Sequence, residues 1–95
     1  MQDEQFEWDD EKAAQNFRDH GVAFSKAVRV FADQFAVEWI DNSAAYGEER
    51  RNLLGIFEGV ILHVTYTERG ERLRIISAGG RSDMSKTPNY RQNAT

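Results

Sequence analysis

The residues best suited to chemistry in this 95-residue chain are arginines in its second half. Arg50, Arg72 and Arg74 recur with Asn52, Thr65 and Thr67 where polar and apolar residues alternate, and Arg69 and Arg81 lie close by. A planar guanidinium matches phosphate oxygens two at a time, and neighbouring arginines repel one another unless an anion lies between them. Such a cluster is what a phosphodiester site needs. A wet sheet face, on which arginine stems cover apolar neighbours, explains the same pattern. The charge is divided in a way that bears on the choice: residues 1–49 hold twelve Asp/Glu and four Lys/Arg, residues 50–95 four and eight, so the net −4 splits into −8 and +4. The basic half can be a phosphate-facing surface, or the two halves can neutralise each other across an ordinary solvated one.

The two histidines are the natural acid–base groups near neutrality, and each has a simpler role. His63 lies beside Leu54 and Ile76, where an imidazole is more often packed than reactive. His20 ends a helical segment, where it can bond the last carbonyls. They belong to no local metal motif, and with no cysteine in the chain neither a metal nor a cofactor is expected. Phosphate-binding loops, dinucleotide-binding glycine patterns and nucleophile elbows are absent. No apolar run exceeds four residues and the acidic N-terminus does not read as a signal peptide, so a cytoplasmic protein without membrane contact is expected.

The length fits one domain, residues 1–95, with room for a single sheet or bundle covered on one side. Phe6 and Trp8 alternate with polar residues as in a short strand. A helix is predicted over 10–20, capped by Asp9 or Asp10 and ended by Gly21. Its narrow apolar stripe is Ala13, Ala14 and Phe17, with Asn16 among the residues covering the rest. Ser25 is the expected cap of a second helix carrying Ala27, Val28 and Phe31 up to Asp33. Strands follow at 36–41, 50–57, 60–67 and 71–77, with a loop at 42–49 and two-residue turns at Glu58-Gly59 and Arg69-Gly70. The fold class is α+β, two N-terminal helices packed on one face of a mostly antiparallel β-sheet. Residues 1–4 and about 82–95 are expected to be flexible.

Two-residue turns fix the register: opposite residues sum to 117 in the first hairpin and to 139 in the second. One face then collects Leu53, Gly55, Phe57, Val60, Leu62, Val64, Tyr66, Leu73, Ile75 and Ser77 as the seat of the helices. The other carries Leu54, Ile56, Ile61, His63 and Ile76 toward one end, and Arg50, Asn52, Thr65, Thr67, Arg72 and Arg74 toward the other. Thr67 should oppose Arg50 and Arg72, and Thr65 should oppose Asn52 and Arg74. No acid of the three strands points into the cluster.

The runs FEWDDEKAAQNFRDHGVAFSKAVRVFAD, GEERRNLLG and YTERGERLRIISA resemble, in order and spacing, the BrnT ribonuclease toxins of bacterial type II toxin–antitoxin modules. The resemblance runs from about Phe6 to Ala78 and implies a RelE-like toxin fold, with helices on one side of an antiparallel sheet and RNA handled on the other. It further implies a metal-independent endoribonuclease that inhibits translation. Its implied partner is a ribbon-helix-helix antitoxin (BrnA-like), in a two-plus-two heterotetramer that alone contacts operator DNA.

RNA supplies its own nucleophile, the 2′-hydroxyl, so such an enzyme has to align it, stabilise the phosphorane charge and move protons. Arg50, Arg72 and Arg74 are the first candidates for charge stabilisation. His20 or Glu48 can serve as base if the fold brings them to the same edge. Arg69, Arg81, Asn52, Thr65 and Thr67 are candidates for holding RNA. The pattern departs from the family after Ala78, where Gly79-Gly80 stands in place of an arginine and a basic segment. The alternative is therefore a catalytically impaired homologue acting as an RNA- or antitoxin-binding module.

Overall fold

The computed structural model describes residues 1–41 and 48–80. The expectations for Arg81, for the tail 82–95 and for most of the loop after Asp41 fall outside these residues. Strand β1 is Phe6–Glu7 and helix α1 is Asp10–His20. Asp9 caps α1, its carboxylate accepting from the backbone N–H groups of Lys12 at 3.3 Å and Glu11 at 2.8 Å. These bonds hold the carboxyl below its ordinary value of 3.8. Gly21, at φ 72°, donates its N–H to the Phe17 carbonyl and closes the helix, a conformation in which a Cβ is strained.

The second helix is shorter than predicted. Helix α2 is the single turn Phe24–Ala27, followed by a 3₁₀ turn at Val28–Ala32. Ser25 lies inside α2, and Ala23 takes the N-cap position without a side-chain bond. Packing sets this start: Val22 and Phe24 are both buried and anchor the entry. In a 3₁₀ turn, residues three apart eclipse, so Ala27 and Val30 can both face the sheet, and each is fully buried.

Strands β2 (Val37–Asp41), β3 (Arg50–Phe57), β4 (Val60–Arg69) and β5 (Arg72–Gly79) complete a five-stranded mixed sheet ordered β1-β5-β4-β3-β2. Among the described strands only β1 and β5 run parallel to each other. Glu58 and Gly59 both have positive φ, as a type I′ turn requires, and the first hairpin has the expected register, with Leu53 opposite Val64 and Asn52 opposite Thr65.

The second hairpin corrects the prediction. Its turn is Gly70-Glu71, with Gly70 at φ 62° in the first central position, which is the requirement of a type II′ turn. Thr67 therefore opposes Arg74, and Arg72 opposes Arg69. The two-residue slip leaves side chains near the turn on their expected faces. A bulge between Thr65 and Tyr66 then changes the parity, so Thr65 faces Ser77 rather than Arg74 and the core position falls to Ala78, 2% exposed, instead of Ser77.

The core joins Phe24, Ala27 and Val30 to Leu53, Leu62, Val64, Tyr66, Ile75 and Ala78. Phe31 bridges it, its ring centroid 5.2 Å from Phe6 and 5.0 Å from Tyr66. The 3₁₀ turn approaches β3 closely, and a Cβ on Gly55 would stand 3.1 Å from both the Val30 Cβ and the Val30 carbonyl oxygen.

Helix α1 docks against β5 in a way the apolar stripe does not predict. Phe17 is 56% exposed, whereas Asn16 is buried. β1 pairs only with Leu73 and Arg74, and further along β5 the Asn16 side chain replaces a strand. Its Nδ2 donates to the Ala78 carbonyl at 2.9 Å and to the Val22 carbonyl at 3.0 Å, while its Oδ1 accepts from the Ala78 N–H at 3.1 Å. An exposed strand edge is thereby closed by one amide.

Candidate functional site

Thr67 of β4 stands opposite Arg74 of β5, and Arg50 of β3 lies one residue past the last β3–β4 pair, Arg51 with Tyr66, so the three form a row with Asp41 beyond Arg50 on β2 and Glu7 beyond Arg74 on β1. An acid thus stands at each end of the row. Arg74 Nη1 lies 2.7 Å from Glu7 Oε2, with the two side chains 27% and 16% exposed. Arg72 Nε donates to the Asp3 carbonyl at 2.6 Å. The expectation of an unneutralised arginine cluster is corrected here: the counter-charge and acceptors come from the N-terminal segment, outside the three strands considered. Arg72 and Arg74 tie that segment to β5.

Arg50 lies on the other side of Thr67 from Arg74, with Asp41 of β2 as its strand neighbour. It lines a cleft of about 280 Å³ together with Lys12, Gln15, Asn16, Asp19, His20 and Ile76. Docking of α1 at the β5 edge puts the helix C-terminus, and so His20, within this cleft. Two residues distant in sequence, an imidazole and a guanidinium, therefore share one opening, with the Lys12 ammonium on its wall. Those are the groups that proton transfer and phosphorane stabilisation require.

Glu48, the other candidate base, is not brought there. Its carboxylate lies 3.7 Å from Arg69 Nη2, and it lines a separate hollow with Glu49, Arg51, Thr67 and Glu68. Arg51 in that hollow contacts Glu38 and Glu49 at 3.2 Å and Glu68 at 3.8 Å, a neutralised group. The Tyr66 hydroxyl donates to Glu38, and burial together with that carboxylate pushes it well above its ordinary value of 10.0. Thr67 donates to the Glu49 carbonyl at 2.7 Å.

Asn52 and Thr65 do converge, as the register implies. Thr65 Oγ1 donates to Asn52 Oδ1 at 2.8 Å, and His63 Nε2 lies 2.9 Å from the same oxygen. The His63 ring stacks on Trp39. Sequence reasoning singled out neither Trp39 nor Asn16. The alternation of Val37, Trp39 and Asp41 could have assigned Trp39 to the outer face, whereas nothing local marks Asn16.

The family model described as the ribonuclease toxin BrnT of type II toxin–antitoxin systems matches residues 8–83. The chain belongs to the BrnT family. Among curated proteins no relative matches it. Membership makes the chain one of the ribonuclease toxins of type II systems, and such a toxin has an antitoxin as its partner. The matched span contains every element from α1 to β5, so the cleft beneath α1 and the outer face of the sheet both lie within the BrnT region. Gly79, directly after Ala78, ends β5 opposite His63.

Proposed function

We propose that this chain is a metal-independent endoribonuclease of RelE-like type whose reaction centre is the cleft shared by His20 and Arg50. The observation that carries the reading is that these two side chains line one cavity. In the proposed reaction the 2′-oxygen bonds to phosphorus and the P–O5′ bond breaks. One proton leaves the 2′-hydroxyl and one reaches O5′, giving a 2′,3′-cyclic phosphate and a 5′-hydroxyl. Arg50 stabilises the phosphorane charge, and His20, on the exposed end of α1, moves the proton. Asn52 and Thr65 hold the RNA and Arg69 extends its track, whereas Thr67, expected to share that role, is buried with its hydroxyl on the Glu49 carbonyl; the consequence, in the cytoplasm, is arrested translation.

The antitoxin is proposed to be a ribbon-helix-helix protein. Since that domain is an obligate dimer, each dimer carries two toxin chains, and operator DNA is contacted through the antitoxin alone. A second reading, an impaired homologue that binds RNA or antitoxin without cutting, is favoured by one observation: Arg72 and Arg74 are engaged by the N-terminal segment. Purified RNA incubated with the wild-type chain, His20→Ala and Arg50→Ala separates the two. The ribonuclease reading expects Arg50→Ala to cleave about 10²–10³-fold more slowly while its melting temperature is preserved. Cleavage that persists in both variants would move the reaction elsewhere on the chain.

A further inference from the structure

The sheet face turned away from α2 carries an aromatic pair that the cleft does not use. Trp39 of β2 and His63 of β4 stack with centroids 5.5 Å apart and planes within 5° of parallel. They meet across β3, whose Asn52 is the partner of Trp39 and whose Leu54 is the partner of His63. Leu54 beneath them is buried, and both rings keep part of their surface exposed. Arg50 projects from the same face of β3, about 7 Å along the strand from Asn52.

Asn52 is held in one orientation. Its Oδ1 accepts from Thr65 Oγ1 and lies against His63 Nε2. An amide oxygen can only accept, so the ring carries its proton on Nε2, and both acceptor positions of Oδ1 are taken. The amide then has only donors left to offer. Nδ2 bonds to none of the described residues, and it is not sealed from solvent.

Unpaired bases stack on aromatic rings, and fixed amides read base edges. A base lying against the Trp39–His63 pair would meet, at Asn52, a group that donates and cannot accept. With the pyrimidine C4 or purine C6 edge turned to Asn52, the keto oxygens that uracil and guanine carry at that position satisfy it. The exocyclic amino groups of adenine and cytosine oppose donor to donor. We propose that Trp39, His63 and Asn52 form a subsite for an unpaired nucleobase that selects keto bases over amino bases in the RNA substrate. The proposal rests on the ribonuclease reading for its ligand, since it is RNA passing the Arg50 cleft that would deliver a base to this face.

Binding and cutting are measured separately. Short 2′-O-methyl oligomers of uridine and of cytidine cannot be cleaved through the blocked nucleophile, and their affinities are read from quenching of tryptophan emission. The expected result is a preference of roughly tenfold for uridine. Asn52→Asp keeps an acceptor for Thr65 and His63 and replaces the Nδ2 donors by a second carboxylate oxygen, so its preference should reverse toward cytidine. Equal binding of the two oligomers by the wild-type chain, no binding of either, or an unchanged uridine preference in Asn52→Asp would overturn the proposal. Uridine preference without cleavage of any unmodified RNA would refute the ribonuclease reading and leave the subsite standing. Cleavage with no base preference would do the opposite.

Discussion

Replacing Asn16 by alanine tests the docking of α1 on which the cleft depends. The Asn16 side chain makes three buried hydrogen bonds, two to Ala78 and one to Val22. Each is worth about 1 kcal/mol net, so their sum is about 3 kcal/mol. Alanine recovers about 0.5 kcal/mol through its higher helix propensity, leaving a loss of about 2.5 kcal/mol. Backbone groups that stay buried without water raise this toward about 4 kcal/mol. Domains of this size unfold at roughly 5–15 kcal/mol, and each kcal/mol moves the melting temperature by about 4–8 °C, so the variant should melt at least about 10 °C lower. Urea denaturation followed by tryptophan emission measures the loss. Gln15→Ala, one residue away and exposed, serves as control and should stay within about 0.5 kcal/mol of wild type. A stability loss for Asn16→Ala no larger than that of the control would refute the strand-replacement role. The reasoning also requires RNA cleavage to fall with α1 docking, because His20 reaches the cleft only through that helix.

Gly55→Ala should cost about 1–3 kcal/mol in denaturant melts, because the added methyl meets the Val30 backbone oxygen as well as its Cβ, and backbone cannot rotate aside. Arg74→Ala should destabilise by about 1–2 kcal/mol by stranding Glu7 on a largely covered edge; a melt unchanged from wild type would return Arg74 to the list of free phosphate ligands. The Asp9 carboxyl titrates lower in the folded chain than in the unfolded one, so its contribution is complete above about pH 4 and is lost as pH falls through the depressed value. Asp9→Asn, which keeps the capping acceptor without the titration, should therefore flatten the acid limb of the stability profile, and an identical acid limb would contradict the assignment.

Much of the fold was legible because the signals are local. Asp9 and Gly21 bracket α1, and Glu58-Gly59 sets a register in which each residue from Arg51 to Phe57 meets its expected partner. What was not legible depends on contacts from elsewhere. Gly70 can serve at either central position of a turn, and only the sheet chooses the first; the bulge that moves Ala78 into the core depends on closure across β4 and β5. Within the site, the faces of Arg50, Asn52, Thr65 and Thr67 follow from alternation. The capture of Arg72 and Arg74 does not, since Glu7 and Asp3 arrive through a parallel strand that pairs over only two residues. Asn16 resembles any polar residue on a helix until β5 is beside it. His20 comes to line the Arg50 cleft through a helix docking that no periodicity encodes, and Glu48, much closer to Arg50 in sequence, lines a different hollow.

The central claim is that this BrnT chain cuts RNA through its own 2′-hydroxyl at the His20–Arg50 cleft. It is tested most directly by incubating the purified chain with a defined RNA in excess chelator and identifying the new ends, beside the same RNA carrying 2′-deoxyribose at the mapped cleavage position. The account predicts cleavage in chelator that leaves a 5′-hydroxyl and a 2′,3′-cyclic phosphate, and no cutting at the deoxy position. Cleavage that stops in chelator, leaves a 5′-phosphate or proceeds at the deoxy position would contradict it, as would an intact RNA.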